Sequence, residues 1–321
     1  MNAILEEVGK IGIVPVIKID DAEKAVPLAQ ALLAGGIPCI ELTFRTAQGE
    51  EAIRRIAAAM PNMLVGAGTV LTVDQVDRAI NAGAKFIVSP GFNPKVVAHC
   101  VQKGVPVTPG CATPSDVEQA IEFGLEVVKF FPAEQAGGID YIKAISAPYP
   151  NIQFMPTGGI NAANIARYMS FDKVLACGGS WIATAELINA GDFARITTLS
   201  QEAVLNLLGL CIAHVGINAG GEEAAASAAR LINTVFGFAL KDSGGSIFVG
   251  EAIELLKTNG PGSHGHIAIG TNSIPRALAH LERNGILFNY DSAKKDAQGK
   301  VTAVYLKEEI LGFAVHLVQR K

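Results

Sequence analysis

Residues 63–90 read MLVGAGTVLTVDQVDRAINAGAKFIVSP and contain one complete strand–helix–strand unit. The run 63–67 (MLVGA) is apolar and short, as a buried strand is. Thr72 is a hydroxyl residue of the kind that caps a helix. Residues 73–83 then carry apolar side chains at helical spacing with charged ones on the other face, and end on Gly83. A second strand follows at 86–89 (FIVS). Two neighbouring strands joined through a helix run parallel.

The unit repeats in both directions. Further strand candidates are 11–18 (IGIVPVIK), 38–43 (PCIELT), 105–109 (VPVTP), 126–130 (EVVKF), 152–157 (IQFMPT) and 173–178 (KVLACG). Helical segments lie between them, at 20–35, 47–60 and 115–124 among others. Starts are marked near Asp20, Thr72, Ser115 and Asn161, and Gly36, Gly83 and Gly104 follow helix ends. Eight such strands in about 200 residues favour a closed (β/α)₈ TIM barrel over an open doubly wound sheet. No GxGxxG follows the first strand, which weakens a dinucleotide-binding reading.

Near residue 209 the texture changes. Strand (IAHVGIN), helix (222–236) and three strands (GFALKD, SIFVG, AIELLK) are followed by strand (GHIAIGT), helix (274–284) and three more (GILFNY, VTAVYLK, LGFAVHLV). This is a weak β-α-β-β-β repeat with a period of about 50 residues. The expected architecture is therefore a barrel over 1–208 and a smaller α+β domain of paired βαβββ units over 209–321. Residues 183–208 read as the last barrel helices, with no low-complexity linker.

Composition narrows the functional classes. Half of the 321 residues are hydrophobic and 17% are charged, so a large core is available. The net charge of −4 offers no basic excess for nucleic acid. No apolar run reaches the ~20 residues that span a bilayer. The start MNAILEEVGKIGIVPVI lacks a basic n-region, so a cytoplasmic setting is expected. The odd set Cys39, Cys100, Cys111, Cys177 and Cys211 suits reduced, buried thiols better than a disulfide framework.

Reactive residues of such a barrel sit at the C-terminal strand ends, here Glu41, Thr69, Pro90, Lys129, Thr157 and Gly178. Lys129 is the one charge in the apolar run Val127–Pro132 and shares a strand face with Val127 and Phe131. Desolvation there would lower its pKa and free an amine to attack a carbonyl. A lysine snorkelling out of a strand end would have the same local sequence. Glu41 could shuttle protons, and Arg45 could clamp a carboxylate. The two could equally form a local ion pair. Thr157-Gly158-Gly159 and Gly178-Gly179-Ser180 end strands seven and eight, where backbone N–H groups and a helix N-terminus often hold phosphate. A phosphorylated substrate is the expectation.

These segments carry a resemblance. Val14–Ile17, Glu41–Thr46, GAGTVL at 66–71, Ser89-Pro90-Gly91, KFFPAE at 129–134, PTGGI at 156–160 and GGSW at 178–181 resemble the 2-keto-3-deoxy-6-phosphogluconate (KDPG) / 4-hydroxy-2-oxoglutarate aldolase family. The likeness covers residues 1 to about 205. It implies a class I aldolase of the Entner–Doudoroff pathway, releasing pyruvate and glyceraldehyde 3-phosphate without a cofactor. By the same resemblance Lys129 forms the Schiff base, Glu41 relays protons, Arg45 and Thr69 hold the pyruvyl carboxylate, and Pro90 packs at the imine. Thr157, Gly158, Gly159, Gly178, Gly179 and Ser180 take the phosphate end, and Thr157 fits the phosphogluconate epimer. The family is typically trimeric. A sugar-phosphate epimerase would share the glycine loops but not require Lys129.

The second domain holds five of the six histidines. His214 and His266 lie on the first strands of the two repeats, Glu254 and His316 on the last ones; imidazole and carboxylate donors of this kind suit a divalent metal. His214-Val215-Gly216-Ile217, Ile253-Glu254-Leu255, Gly265-His266-Ile267-Ala268 and Gly312–Leu317 resemble the vicinal oxygen chelate (glyoxalase I-like) superfamily, which ligates metal from those four positions. The fourth is commonly glutamate there and is His316 here. His264 and His280 read as surface residues. A binding or oligomerisation module without catalysis is the other reading.

Overall fold

The computed structural model describes residues 1–320, in two compact units, 1–207 and 208–320. In the first unit the strands are β1 (Ile13–Ile17), β2 (Cys39–Thr43), β3 (Leu64–Gly68), β4 (Phe86–Val88), β5 (Val107–Thr108), β6 (Val127–Phe130), β7 (Gln153–Pro156) and β8 (Cys177–Gly179). All neighbours are parallel, in the order β5-β4-β3-β2-β1-β8, with β6 paired to β7. The bridges Gly110↔Lys129 and Thr157↔Gly178 join the two sets and close the barrel.

Register decides which side chains point inward. Val16 pairs with Glu41, Glu41 with Gly66 and Gly66 with Phe86. Gly110 pairs with Lys129 and Lys129 with Met155. Paired residues share a face, and the period of two carries that face to Gly68, Thr108 and Val127. The helices form the outer layer, each started and stopped by its own chemistry. Thr72 accepts from Gln75 N–H, and Gly83 ends that helix at φ 105°. The helix Pro114–Glu122 is capped by Thr113 in a reciprocal box with Asp116, two residues before the expected Ser115.

Other boundaries moved as well. Strand eight was expected at 173–178, but Val174 makes only an isolated bridge to Phe154 and the strand runs through the glycine pair. A helix at Ala3–Ile11, capped by Asn2, precedes β1 and was not expected. Its Leu5 packs on Val127 and Leu175. Four of the cysteines are buried and outside any disulfide, whereas Cys211 is exposed.

The second unit is one eight-stranded sheet. Its strands are β9 (Cys211–Asn218), β10 (Leu240–Asp242), β11 (Ser246–Val249), β12 (Ile253–Leu256), β13 (Gly265–Thr271), β14 (Phe288–Lys295), β15 (Val301–Ile310) and β16 (Phe313–Gln319). The order β10-β11-β12-β9-β13-β16-β15-β14 is two copies of one four-strand pattern joined by the antiparallel β9–β13 pair. The helix Glu222–Phe236 buries Ala225 and Ala229 against Ile247, Val249 and Leu255. Gly237 caps that helix at φ 71°, which delays β10 from the expected residue 237 to Leu240.

Candidate active site

Barrel closure brings Lys129 of β6 and Glu41 of β2 face to face. Lys129 Nζ lies 3.6 Å from Glu41 Oε1, with 6% and 1% of the two side chains exposed. The lysine therefore does not snorkel to solvent. Its backbone is fixed by Lys129 N–H donating to Pro109 O at 2.9 Å and Cys111 N–H donating to Lys129 O at 2.8 Å. The Phe131 ring centroid stands 5.4 Å from Nζ. Neither Glu41 carboxylate oxygen has a hydrogen-bond partner among the described residues. A buried carboxylate with its lone pairs free is costly to keep and is poised to accept a proton.

The space for Glu41 comes from a glycine. A Cβ on Gly68 would stand 2.1 Å from Glu41 Oε1. Gly68→Ala is therefore expected to push the carboxylate off Lys129 and lower kcat on the order of 10²-fold. Steady-state rates, with circular dichroism to show an intact fold, check this.

Arg45 is exposed, and its Nε donates to Thr43 Oγ1 at 3.2 Å, while Thr43 Oγ1 donates to Ile17 O at 2.9 Å. Glu41 pairs with Lys129 instead, so the local Glu41–Arg45 ion pair is not formed. Thr69 takes a left-handed φ of 57°, one of two non-glycine residues to do so among the described residues. A β-branched residue held there costs about 1–3 kcal/mol, strain of the kind concentrated at binding sites. Pro90 is half-buried where β4 and β5 end together, its carbonyl 2.0 Å from where a Cβ on Gly110 would sit.

At the other side of the mouth Thr157 is buried, and Gly158 and Gly159 turn at φ 99° and 79°. Such a pair needs glycine. Asn161 and Asn164 side-chain amides donate to Gly159 O at 3.3 and 3.0 Å. Gly178 faces Thr157, a Cβ there lying 2.4 Å from Thr157 Oγ1, and Gly179 packs under Trp181, with Ser180 exposed. The helices expected directly after these loops begin later, at Ile165 and Ala185, because short irregular segments intervene.

Sequence reading missed several residues around this chamber. Thr108 is buried, shares the inner face, and its hydroxyl has no hydrogen-bond partner among the described residues. A hydroxyl in an apolar strand is a visible signal. Glu134 and Tyr168 meet only through the tertiary fold.

In the second unit the three predicted histidine ligands converge, and Glu254 bonds two of them. Glu254, Gly216 and His266 occupy one row of the sheet, and His214, Ala268 and His316 the next row on the same face. The small central residue of each row opens the hollow, and a Cβ on Gly216 would stand 2.1 Å from His266 Cε1. Glu254 Oε2 lies 3.2 Å from His214 Nε2 and 3.1 Å from His266 Nε2. Ligand atoms of His214, His266 and His316 all fall within 4.8 Å of one another. Hydrogen bonding to His214 and then His266 holds the Glu254 carboxyl far below the usual carboxylate range, with Ser246 Oγ adding a hydrogen bond at 2.6 Å. Burial, reinforced by His266 and His214, pushes His316 down to about 4. Its Nδ1 faces Leu317 O at 3.3 Å, and its buried Nε2 has no partner among the described residues. A buried imidazole with an orphaned Nε2, grouped with two further imidazoles that both bond Glu254, fits a divalent cation. His264 is exposed, but His280 is half-buried, and its pKa is lowered by burial.

Known proteins resemble the first unit. A model of the KDPG and KHG aldolase family matches residues 4–199. The 2-dehydro-3-deoxy-phosphogluconate aldolase of Treponema pallidum is 51% identical over 204 residues, 64% of this chain and 97% of that protein. The KHG/KDPG aldolase of Escherichia coli K12 is 43% identical over 192 residues, covering 60% of this chain and 90% of the relative. Among solved structures, the KDPG aldolase of Legionella pneumophila with pyruvate captured as a covalent carbinolamine superimposes with a TM-score of 0.61. It is 38% identical and covers 62% of this chain and 97% of its own. With the buried lysine–carboxylate pair at the strand ends and a family match over more than half its length, the chain belongs to the KDPG and KHG aldolase family.

Proposed function

We propose that the first unit is a class I aldolase that cleaves 2-keto-3-deoxy-6-phosphogluconate reversibly to pyruvate and glyceraldehyde 3-phosphate, and also accepts 4-hydroxy-2-oxoglutarate. The observation that carries this is the buried Lys129 Nζ, 3.6 Å from a Glu41 carboxylate otherwise free of hydrogen bonds. Lys129 Nζ attacks the C2 ketone to give a carbinolamine, which loses water to an iminium. Glu41 takes the C4 hydroxyl proton, the C3–C4 bond breaks, and its electron pair flows into the iminium as an enamine. The aldehyde leaves, C3 is protonated, and water releases pyruvate and the free amine.

Arg45 and Thr69 hold the pyruvyl carboxylate in this reading, and Pro90 packs against the imine. Thr157 with the Gly158–Gly159 and Gly178–Ser180 loops receives the phosphate. A trimer of the barrel in the cytoplasm completes the proposal; among the described residues no helix is long and apolar enough to cross a membrane. Pyruvate release from both substrates tests the reading. Interconversion of sugar-phosphate epimers without pyruvate release would replace it with an epimerase.

For the second unit the proposal is a divalent metal held by His214, Glu254, His266 and His316 in a vicinal-oxygen-chelate-like cup. When bound, such an ion supplies Lewis acidity toward an oxygen ligand. The aldolase itself needs no cofactor in this scheme. Metal analysis of the purified full chain is expected to give near one equivalent, falling at least about tenfold in His266→Ala. Equal metal content in the two proteins would contradict the proposal and leave the cup as a non-catalytic module.

A further inference from the structure

Beside the loop proposed to take the phosphate stands a carboxylate of the wrong sign. Glu134 N–H donates to Gly158 O at 3.1 Å, and Ala133 N–H to Thr157 O at 2.8 Å. The Glu134 Cβ and Cγ lie 2.7 and 2.6 Å from where a Cβ on Gly159 would be. The stem of this side chain is therefore packed directly under the glycine pair. Left to itself, its solvent-exposed carboxylate would repel an anion arriving at that loop.

Tyr168 resolves that conflict. Its hydroxyl donates a hydrogen bond to Glu134 Oε1, although the tyrosine is 1% exposed and sits on the helix Ile165–Met169. Burial, together with the Glu134 bond, raises the hydroxyl above the ordinary tyrosine range, so it stays a donor. Gly138 makes room for the pair, since a Cβ there would stand 3.2 Å from the Tyr168 hydroxyl and 3.4 Å from Glu134 Oε1.

We propose that Tyr168 is a positioning residue for the phosphate end of the substrate, holding the Glu134 carboxylate clear of the Gly158–Gly159 loop. Preference for phosphorylated over unphosphorylated 2-keto acids then depends on one buried hydroxyl. This rests on the aldolase reading with its phosphate loop.

The test is steady-state kinetics of the full chain and Tyr168→Phe with 2-keto-3-deoxy-6-phosphogluconate and with 4-hydroxy-2-oxoglutarate. Losing a hydrogen bond to a charged group should raise KM for the phosphorylated substrate about five- to twentyfold. Its kcat should hold, and kcat/KM for the unphosphorylated substrate should move less than about twofold. Inhibition by inorganic phosphate should weaken in parallel with that KM. Glu134→Gln keeps an oxygen for Tyr168 but removes the charge, so its KM for the phosphorylated substrate should not exceed the wild-type value. Adding Glu134→Gln to Tyr168→Phe should return that KM to within about twofold of wild type. Equal losses on both substrates, an unchanged KM, or no recovery in the double variant would overturn the proposal while leaving the aldolase intact. A wild type that releases no pyruvate would instead remove the reading beneath it.

Discussion

Lys129→Met is expected to lower pyruvate release from 2-keto-3-deoxy-6-phosphogluconate on the order of 10⁴-fold or more. The nucleophile forms the covalent bond through which electrons leave C3–C4, and the nearby guanidinium of Arg45 is exposed, tied to Thr43 and no nucleophile. The substitution has a second, separable consequence. It leaves Glu41, 1% exposed, without the ammonium at 3.6 Å. An orphaned buried carboxylate costs about 3–5 kcal/mol when its partner is removed. Lys129→Met should therefore melt below wild type, and Lys129→Met/Glu41→Gln should regain stability while staying inactive. Activity in Lys129→Met within tenfold of wild type would contradict the covalent scheme.

Glu41→Gln should lower kcat about 10²- to 10⁴-fold, the range of a lost general acid–base. The amide keeps the shape beside Gly68 but cannot accept the C4 hydroxyl proton. Lys129 remains free to form the imine, so the variant should still be trapped by pyruvate and borohydride while it turns over slowly. That pattern separates proton relay from nucleophilic attack. A variant with wild-type kcat would assign the proton to another group, and the partnerless Thr108 hydroxyl on the same inner face would be the next to test.

Much of this was legible in the sequence because it depends on period and position along single strands. Lys129 was visible as a lone charge in an apolar run, and Glu41 as a charge at the end of another. The four metal-ligand candidates were visible because the repeat put them at equivalent strands. What escaped depends on register between strands or on distant pairs. Gly68 matters only because β2 and β3 pair so that its missing Cβ leaves room for Glu41. Tyr168 meets Glu134 across 34 residues. The helix Ala3–Ile11 was legible in its spacing, since Leu5, Val8 and Ile11 form one buried stripe with Glu6 and Glu7 off it, but it lies outside the strand–helix repeat that guided the reading. Gly178 was expected at the end of strand eight as part of a phosphate loop, but its pairing with Val14 and its bridge to Thr157, where a side chain would not fit, depend on register between strands.

The most direct measurement is borohydride reduction of the full chain with pyruvate, followed by peptide mapping by mass spectrometry. A single reduced pyruvyl adduct on Lys129, absent in Lys129→Met, is the expected result. No adduct, or an adduct on any other lysine, would contradict the assignment of this barrel as a Schiff-base aldolase working through Lys129.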